Sequence, residues 1–350
     1  MFIKRYKFIL ISFAVIYAAL LLFVYIIRLP YYTIQTTGKL YIINKLSRDI
    51  TVFNLFTGNE IAEIPINIEA HEAITTLDNN KIILTDFGAL NSKGNHLTTI
   101  NTKTNKVEKT IDLKEKINVN GIVTFPKTNK LALVDYVSNR LCILNMKTER
   151  IEKEIETKQK KSHLVALHPS KPIAYVTNMK SNSVSVIDLK KDEVVKIIPC
   201  GLTTESIDIT PDGSEIWVTN KSENSITIIN TLTYEVLAKV PTEKEPLKLK
   251  FTIDGTYCLV ANASGGSITV YEQTSKKRIK TIRIPGRNEI IERILYHTPR
   301  PVNIVMHPNG LYAFVSNSNA NKIEVINMKS FKIVSTIGTG DVPDALVFVE

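Results

Sequence analysis

His163 and Glu205 stand 42 residues apart, an interval that recurs along much of the chain. A histidine beside a carboxylate is the usual means of moving a proton near neutral pH, and it is also half of a divalent-metal site. Glu72 (with His71 before it), Asn120 and Asp344 hold comparable places, each just ahead of an alternating apolar run. Leu247 and Val302 hold the same place in two further runs. If the runs converge, three carboxylates, two histidines and an amide gather at one point. His163 and Glu205 would then supply an acid–base pair or the beginnings of a metal site. The competing reading is that these polar residues only hydrate a wet channel. Other chemistry finds no support. The chain has no phosphate-cradling glycine loop, no G-x-S-x-G elbow and no H-E-x-x-H pair. Cys142, Cys200 and Cys258 are far apart, which excludes a CxxC-type zinc or redox motif. Cys142 and Cys258 lie in apolar runs and read as small core hydrophobes.

The elements that must position these residues are repeats. The tetrad YVTN at 175–178 returns as WVTN at 217–220, LVAN at 259–262 and FVSN at 314–317. Looser copies are YIIN at 41–44, ILTD at 83–86 and LVD at 133–135. The seven anchors are Asn44, Asp86, Asp135, Asn178, Asn220, Asn262 and Asn317, with spacings of 42, 49, 43, 42, 42 and 55. Their side chains suit turn-starting bonds to nearby backbone. After each anchor comes a short polar turn and a run of period-two alternation, such as SVSVID at 183–188 and SITIIN at 225–230. Such alternation of β-branched residues specifies a strand. A third run follows, and a further strand with a tight turn such as PDGS at 211–214 precedes each anchor.

Four antiparallel strands in about 42 residues make one propeller blade, and one blade alone cannot bury both faces. The chain therefore reads as all-β, a seven-bladed propeller over residues 38–350, monomeric, with the last residues, PDALVFVE, closing the first blade as its innermost strand. Composition agrees. Hydrophobic residues are 44% and charged residues 22% of 350, with 14 Gly and 14 Pro, which excludes collagen-like, low-complexity and disordered classes.

The tetrad, the PDG turn and the S-x-S-V-I-D run resemble the YVTN-repeat (YncE-like) propellers. The likeness is specific over 160–265 and continuous over about 38–350. It implies a seven-bladed, usually extracytoplasmic propeller. It does not imply one activity, since members are described as surface, scaffold, nucleic-acid-binding or electron-transfer-associated proteins, and related folds include lactonases and the propeller domain of nitrous oxide reductase. The single Trp and six scattered His do not match a quinoprotein, copper-cluster or haem pattern.

Ahead of the repeats, residues 8–27 read FILISFAVIYAALLLFVYII, without a charge. As a helix they would span about 30 Å, the thickness of a bilayer core. The run is long for a cleaved signal and no A-x-A-like site follows, so it reads as an uncleaved signal anchor. Lys4, Arg5 and Lys7 place residues 1–7 in the cytoplasm, residues 28–37 form a linker, and the propeller lies outside, periplasmic or at the cell surface. The net charge is +10, of which residues 29–350 carry +6. Basic runs at 158–161 and 276–280 lack the interleaved aromatics that nucleic-acid binding uses.

In a propeller the loops entering the innermost strands share one rim of the channel. Glu72, Asn120, His163, Glu205 and Asp344 are the candidate ligand-binding residues there, joined by Arg300 from the insertion 286–301. A helix over 288–296 would act as a lid, and a second insertion spans 87–95. His168 and His307 sit in turns at the opposite rim and read as solvent-exposed. No cofactor is expected. A divalent metal on His163 and Glu205 is the one metal site the residue types allow. The function expected is an anchored binding or scaffold module for a protein, glycan or small ligand of the cell envelope. The alternatives are a lactonase-like hydrolase and a non-specific nucleic-acid binder.

Overall fold

The computed structural model describes residues 11–20, 31–86, 88, 94–113, 117–286 and 297–350. Among them are 28 strands, from β1 (Lys39–Asn44) to β28 (Pro343–Val349), arranged as seven four-stranded antiparallel sheets. The innermost strands of blades 2 to 7 are β4 (Ala70–Thr75), β8 (Val119–Thr124), β12 (Ser162–Leu167), β16 (Thr204–Ile209), β20 (Pro246–Phe251) and β24 (Pro301–Met306). Blade 1 takes its innermost strand from the C-terminus. β28 pairs with β1, Ile42 opposite Leu346 and Lys39 opposite Val349. The ring thus closes without leaving either chain end as an open sheet edge.

Blade 4 shows why these residues form these strands. β13 (Ile173–Asn178) and β14 (Ser183–Asp188) are buried along nearly their whole length, because neighbouring blades cover both faces. Outermost β15 (Glu193–Pro199) buries only Ile198 fully and puts Glu193, Lys196 and Ile197 in solvent. The cores lie between blades. One packs Tyr175, Val186 and Ile198 of blade 4 against Ile207, Val218 and Ile229 of blade 5. Cys142 and Cys258 are wholly buried, as their apolar surroundings require.

The anchor residues are structural. Asn178 Nδ2 donates to Ser185 Oγ at 3.0 Å, Asn220 Nδ2 to Thr227 Oγ1 at 2.8 Å and Asn262 Nδ2 to Thr269 Oγ1 at 2.9 Å. Each pins its strand to the next across the turn. The residue before the anchor does something different. Thr177 Oγ1 accepts the Leu164 N–H at 3.0 Å, Thr219 Oγ1 that of Ser206 at 2.9 Å, and Thr85 Oγ1 that of Glu72 at 3.0 Å. In these blades the bond accompanies a register shift in the innermost strand, between Ala70 and Ala73 in blade 2, Ser162 and Val165 in blade 4, and Thr204 and Ile207 in blade 5. Such a bulge re-aims side chains. Here it turns the residues at 72, 163 and 205 toward the channel.

Residues 31–33 run along β27 (Lys332–Gly338). The Tyr31 N–H donates to Thr336 Oγ1 and the Thr33 N–H to Ser335 Oγ, both at 2.7 Å. Tyr32 packs edge-on against Phe53 and donates its hydroxyl to Leu55 O. Residues 11–20 are helical. The rest of the 8–27 segment lies outside the described residues, and no helix among the described residues is long and apolar enough to cross a membrane. The expected helix at 288–296 also lies outside them, as does most of the 87–95 insertion.

His168 and His307 are not exposed, contrary to the sequence expectation; their relative accessibilities are 5% and 2%. Each is roofed by a neighbouring segment. A Cβ on Gly213, in the adjoining turn, would lie 2.7 Å from His168 Cε1. Thr36 and Thr37 cover His307.

Candidate functional site

The channel opens at one rim into a cavity of about 450 Å3. All seven residues expected at the mouth line it: Glu72, Asn120, His163, Glu205, Leu247, Val302 and Asp344, together with His71 and Arg300. The shared period is the reason. Each stands at the same place ahead of the paired part of its inner strand, so a seven-fold ring brings them to one level.

A second ring escaped the sequence reading. Lys45, Tyr136, Met179, Lys221 and Ser318 also line the cavity, and each directly follows a repeat anchor. Their backbone N–H groups donate to the carbonyl of the residue two before the inner ring residue: Lys45 to Val342, Tyr136 to Asn118, Met179 to Lys161, Lys221 to Thr203 and Ser318 to Arg300, at 2.9–3.0 Å. The position after the tetrad was the available signal.

Electrostatically the mouth is mixed. Lys45, Lys221, Lys248 and Arg300 face three carboxylates. Lys248 on blade 6 reaches Glu72 on blade 2 at 2.7 Å, spanning the channel between blades three apart, the largest separation a ring of seven allows. His71 Nδ1 lies 3.2 Å from Asp344 Oδ2, and Lys45 lies 3.8 Å from the same oxygen. Burial works against protonation of His71, but the Asp344 hydrogen bond and the charges of Asp344 and Glu72 outweigh it and raise its pKa. Burial likewise opposes ionisation of Asp344, yet its bond to His71 and the nearby cations hold its pKa below the usual carboxylate value.

His163 is the opposite case. Burial pulls its pKa below the ordinary value, and the charge of Glu205 restores only part. Its Nδ1 lies 3.3 Å from the Glu205 carbonyl and 3.9 Å from Glu205 Oε1. The carbonyl requires a proton on Nδ1, which makes Nε2 the acceptor nitrogen. His163 and Glu205 do meet, as their 42-residue spacing implied, but through the backbone more than through the carboxylate.

Arg300 lines the cavity already paired. Both its terminal nitrogens donate to Glu245 at 3.2 Å, and Lys221 approaches the same carboxylate at 3.6 Å. Among the described residues no three His, Cys, Asp or Glu side chains come together as a metal set. Cys200, the one cysteine outside the fully buried core, has its pKa pushed up to about 12 by burial and is no nucleophile.

A family model described as "Lactonase, 7-bladed beta-propeller" matches residues 122–282. The chain is a seven-bladed β-propeller. The matched stretch carries His163, Glu205 and Lys248 but leaves out Glu72, Asn120, Arg300 and Asp344. Among solved structures, a chain of hydrazine synthase from Kuenenia stuttgartiensis superposes with a TM-score of 0.70 at 16% identity, covering 85% of this propeller chain and 96% of its own. A functionally unknown protein from Desulfotomaculum acetoxidans DSM 771 gives 0.72 at 16% identity, covering 90% and 99%. At such identity the likeness is one of fold. No curated protein sequence matches the chain.

Proposed function

We propose that the chain is an anchored, extracytoplasmic propeller of the YVTN-repeat kind that binds a small anionic ligand at its channel mouth. The observation that carries this is the convergence of both rings on one cavity of about 450 Å3, with four Lys or Arg side chains against three carboxylates and a histidine disposed to protonate. Cavities of this size hold small molecules, and convergent polar groups fix their orientation. The anchor is residues 8–27. Residues 31–37 bind along blade 7, so only residues 28–30 would separate propeller from bilayer, a reach of about 10 Å. The propeller would therefore ride close to the membrane surface, where a soluble ligand or an envelope component reaches the mouth.

The test is a thermal-shift series on the full chain in detergent with citrate, malate and gluconate. A ligand at a hundred times its Kd adds about 2.7 kcal/mol. The expected shift is lost in a Lys221→Gln, Lys248→Gln double variant. Absence of a shift with every small anion would overturn this reading. Resistance to alkaline extraction, lost on deleting residues 8–27, tests the anchor.

Lactone hydrolysis is the second reading. The match to a lactonase model over the blades that carry His163 and Glu205 favours it. With Nδ1 on the Glu205 carbonyl, neutral His163 would present Nε2 as a base toward a water molecule attacking the lactone carbonyl, and nearby ammonium groups would stabilise the developing oxyanion. Acid release from small lactones, abolished by His163→Gln in a protein of unchanged melting temperature, would establish it.

A further inference from the structure

Among the described residues nine buried side-chain atoms lack a hydrogen-bond partner, and two of them, Asn120 Oδ1 and Glu205 Oε2, belong to the cavity wall. Both are buried, with residue accessibilities of 2% and 9%. A buried acceptor left unpaired costs about 1–3 kcal/mol, and native proteins keep few of them. His163 stands between the two on the intervening blade. Its Nδ1–H is committed to the Glu205 carbonyl, which leaves Nε2 as a third acceptor. Gly121 draws these blades together. A Cβ there would lie 2.6 Å from His163 O and 2.9 Å from Leu164 Cα, so only glycine lets Asn120 approach His163 so closely.

The unpaired acceptors lie on one side of the mouth. Blades 3, 4 and 5 contribute Asn120, His163 and Glu205 from their inner strands, all acceptors. Lys221, also on blade 5, is drawn to Glu245 on blade 6. Blades 6, 7, 1 and 2 contribute the donors Lys248, Arg300, Lys45 and His71 beside the carboxylates Glu72 and Asp344: Lys248 pairs with Glu72, Lys45 and His71 with Asp344, and Arg300 with Glu245. We infer that the channel mouth takes a zwitterion of amino-acid size, its ammonium group on Asn120 Oδ1, His163 Nε2 and Glu205 Oε2 and its carboxylate toward the donor arc.

Three acceptors match the three N–H bonds of a primary ammonium. A hydroxyl would satisfy one acceptor and leave the desolvated Glu205 carboxylate without a compensating charge. The inference rests on the proposal that the mouth binds a small anionic group, and it adds the cationic end.

The test uses the full chain in detergent and ω-amino acids from glycine to 6-aminohexanoate, each beside its matched alkanoate and alkylamine at constant ionic strength. At least one ω-amino acid is expected to bind about tenfold to hundredfold more tightly than its alkanoate, the range for a charge-assisted bond. Glu205→Gln should remove that advantage. Asn120→Leu should reduce the advantage in a protein whose melting temperature is kept. Equal binding of amino acids and alkanoates, with Glu205→Gln silent, would overturn the inference and leave the anionic reading standing. Protection by KCl over NaCl without any amine dependence would assign the acceptors to an inorganic cation and overturn it too. No protection by any ω-amino acid overturns it outright, and the alkanoate arm then decides the anionic reading alone.

Discussion

Histidines at the two rims are used in opposite ways. At the rim away from the mouth, His307 has both ring nitrogens bonded. Its Nδ1 accepts the Asn309 N–H at 3.1 Å, and its Nε2 lies 3.0 Å from both Thr36 Oγ1 and Thr37 O. Its ring packs 4.7 Å from that of Phe348 in the closing strand. His168 accepts the N–H groups of Ser170 and Lys171 on one nitrogen. At the mouth, His163 has one long bond to a carbonyl and lies beside two unpaired acceptors, while His71 is held in an ion pair. The same side chain braces a turn at one end of the channel and faces a cavity at the other. At the far rim the histidine nitrogens are spent on the fold itself, and at the mouth two acceptors on the neighbouring blades are left bare.

The strongest way to break this contrast is His307→Ala. It removes three hydrogen bonds and an aromatic contact that join residues 36–37, blade 7 and the closing strand. A loss of about 3 kcal/mol is expected in urea unfolding at pH 7, with ligand binding at the mouth unchanged. His163→Ala should do the reverse, with stability within about 1 kcal/mol of the parent and ligand binding abolished. Were His163→Ala the more destabilising of the two, the mouth histidine would be a brace as well and the contrast would fail.

A pair of glycines sharpens it next. Gly121→Val puts a side chain onto the backbone of His163 and should cost about 2 kcal/mol while also abolishing binding, because blades 3 and 4 must separate. Gly310, in the turn beside His307, has φ +71° and nothing within 4 Å of a built Cβ. Gly310→Ala should therefore cost only its backbone strain, about 1 kcal/mol, without touching the mouth.

How far each rim could be read from the sequence follows from what a period encodes. The seven mouth residues were legible because a constant offset in each repeat becomes a constant height in the ring. The seven blades and their closure by residues 343–350 followed from the same arithmetic. What lay between repeats was not legible. Nothing near residue 168 says that Gly213 will lie on it, and nothing near 307 says that Thr36 will. Exposure of a turn is decided by its neighbour blade, and a linear reading treats each turn alone. The capture of Arg300 by Glu245 and the reach of Lys248 to Glu72 are likewise contacts between blades, with sequence separations of 55 and 176. The ring of Lys45, Tyr136 and Lys221 is a different lesson. Its position after each anchor was plain, but its residue types vary from blade to blade, so no repeat pattern marked it.

The smallest effect discriminates within the mouth itself. His71 and His163 have ring centroids 6.0 Å apart, yet their pKa values move in opposite directions. His71 faces Asp344, Glu72 and Lys45, and its folded pKa lies above its unfolded value of about 6.5. Its contribution to stability is complete below pH 6.5 and is lost as pH rises through the folded pKa. His163 faces Glu205, His71 and Glu72 from within a drier site, and its folded pKa lies below 6.5. The unfolded chain therefore takes up that proton first, and stability falls as pH drops from 6.5 toward the folded pKa. The parent should show a stability maximum near pH 6.5, because His163 lowers stability on the acid side and His71 lowers it on the alkaline side. His71→Gln should leave a stability that rises with pH, and His163→Gln one that falls above pH 6.5. Asp344 acts lower, its contribution lost only as pH falls through its depressed pKa. If both variants kept the parent profile, neither histidine would titrate differently in the folded protein, and the contrast between the two would fail.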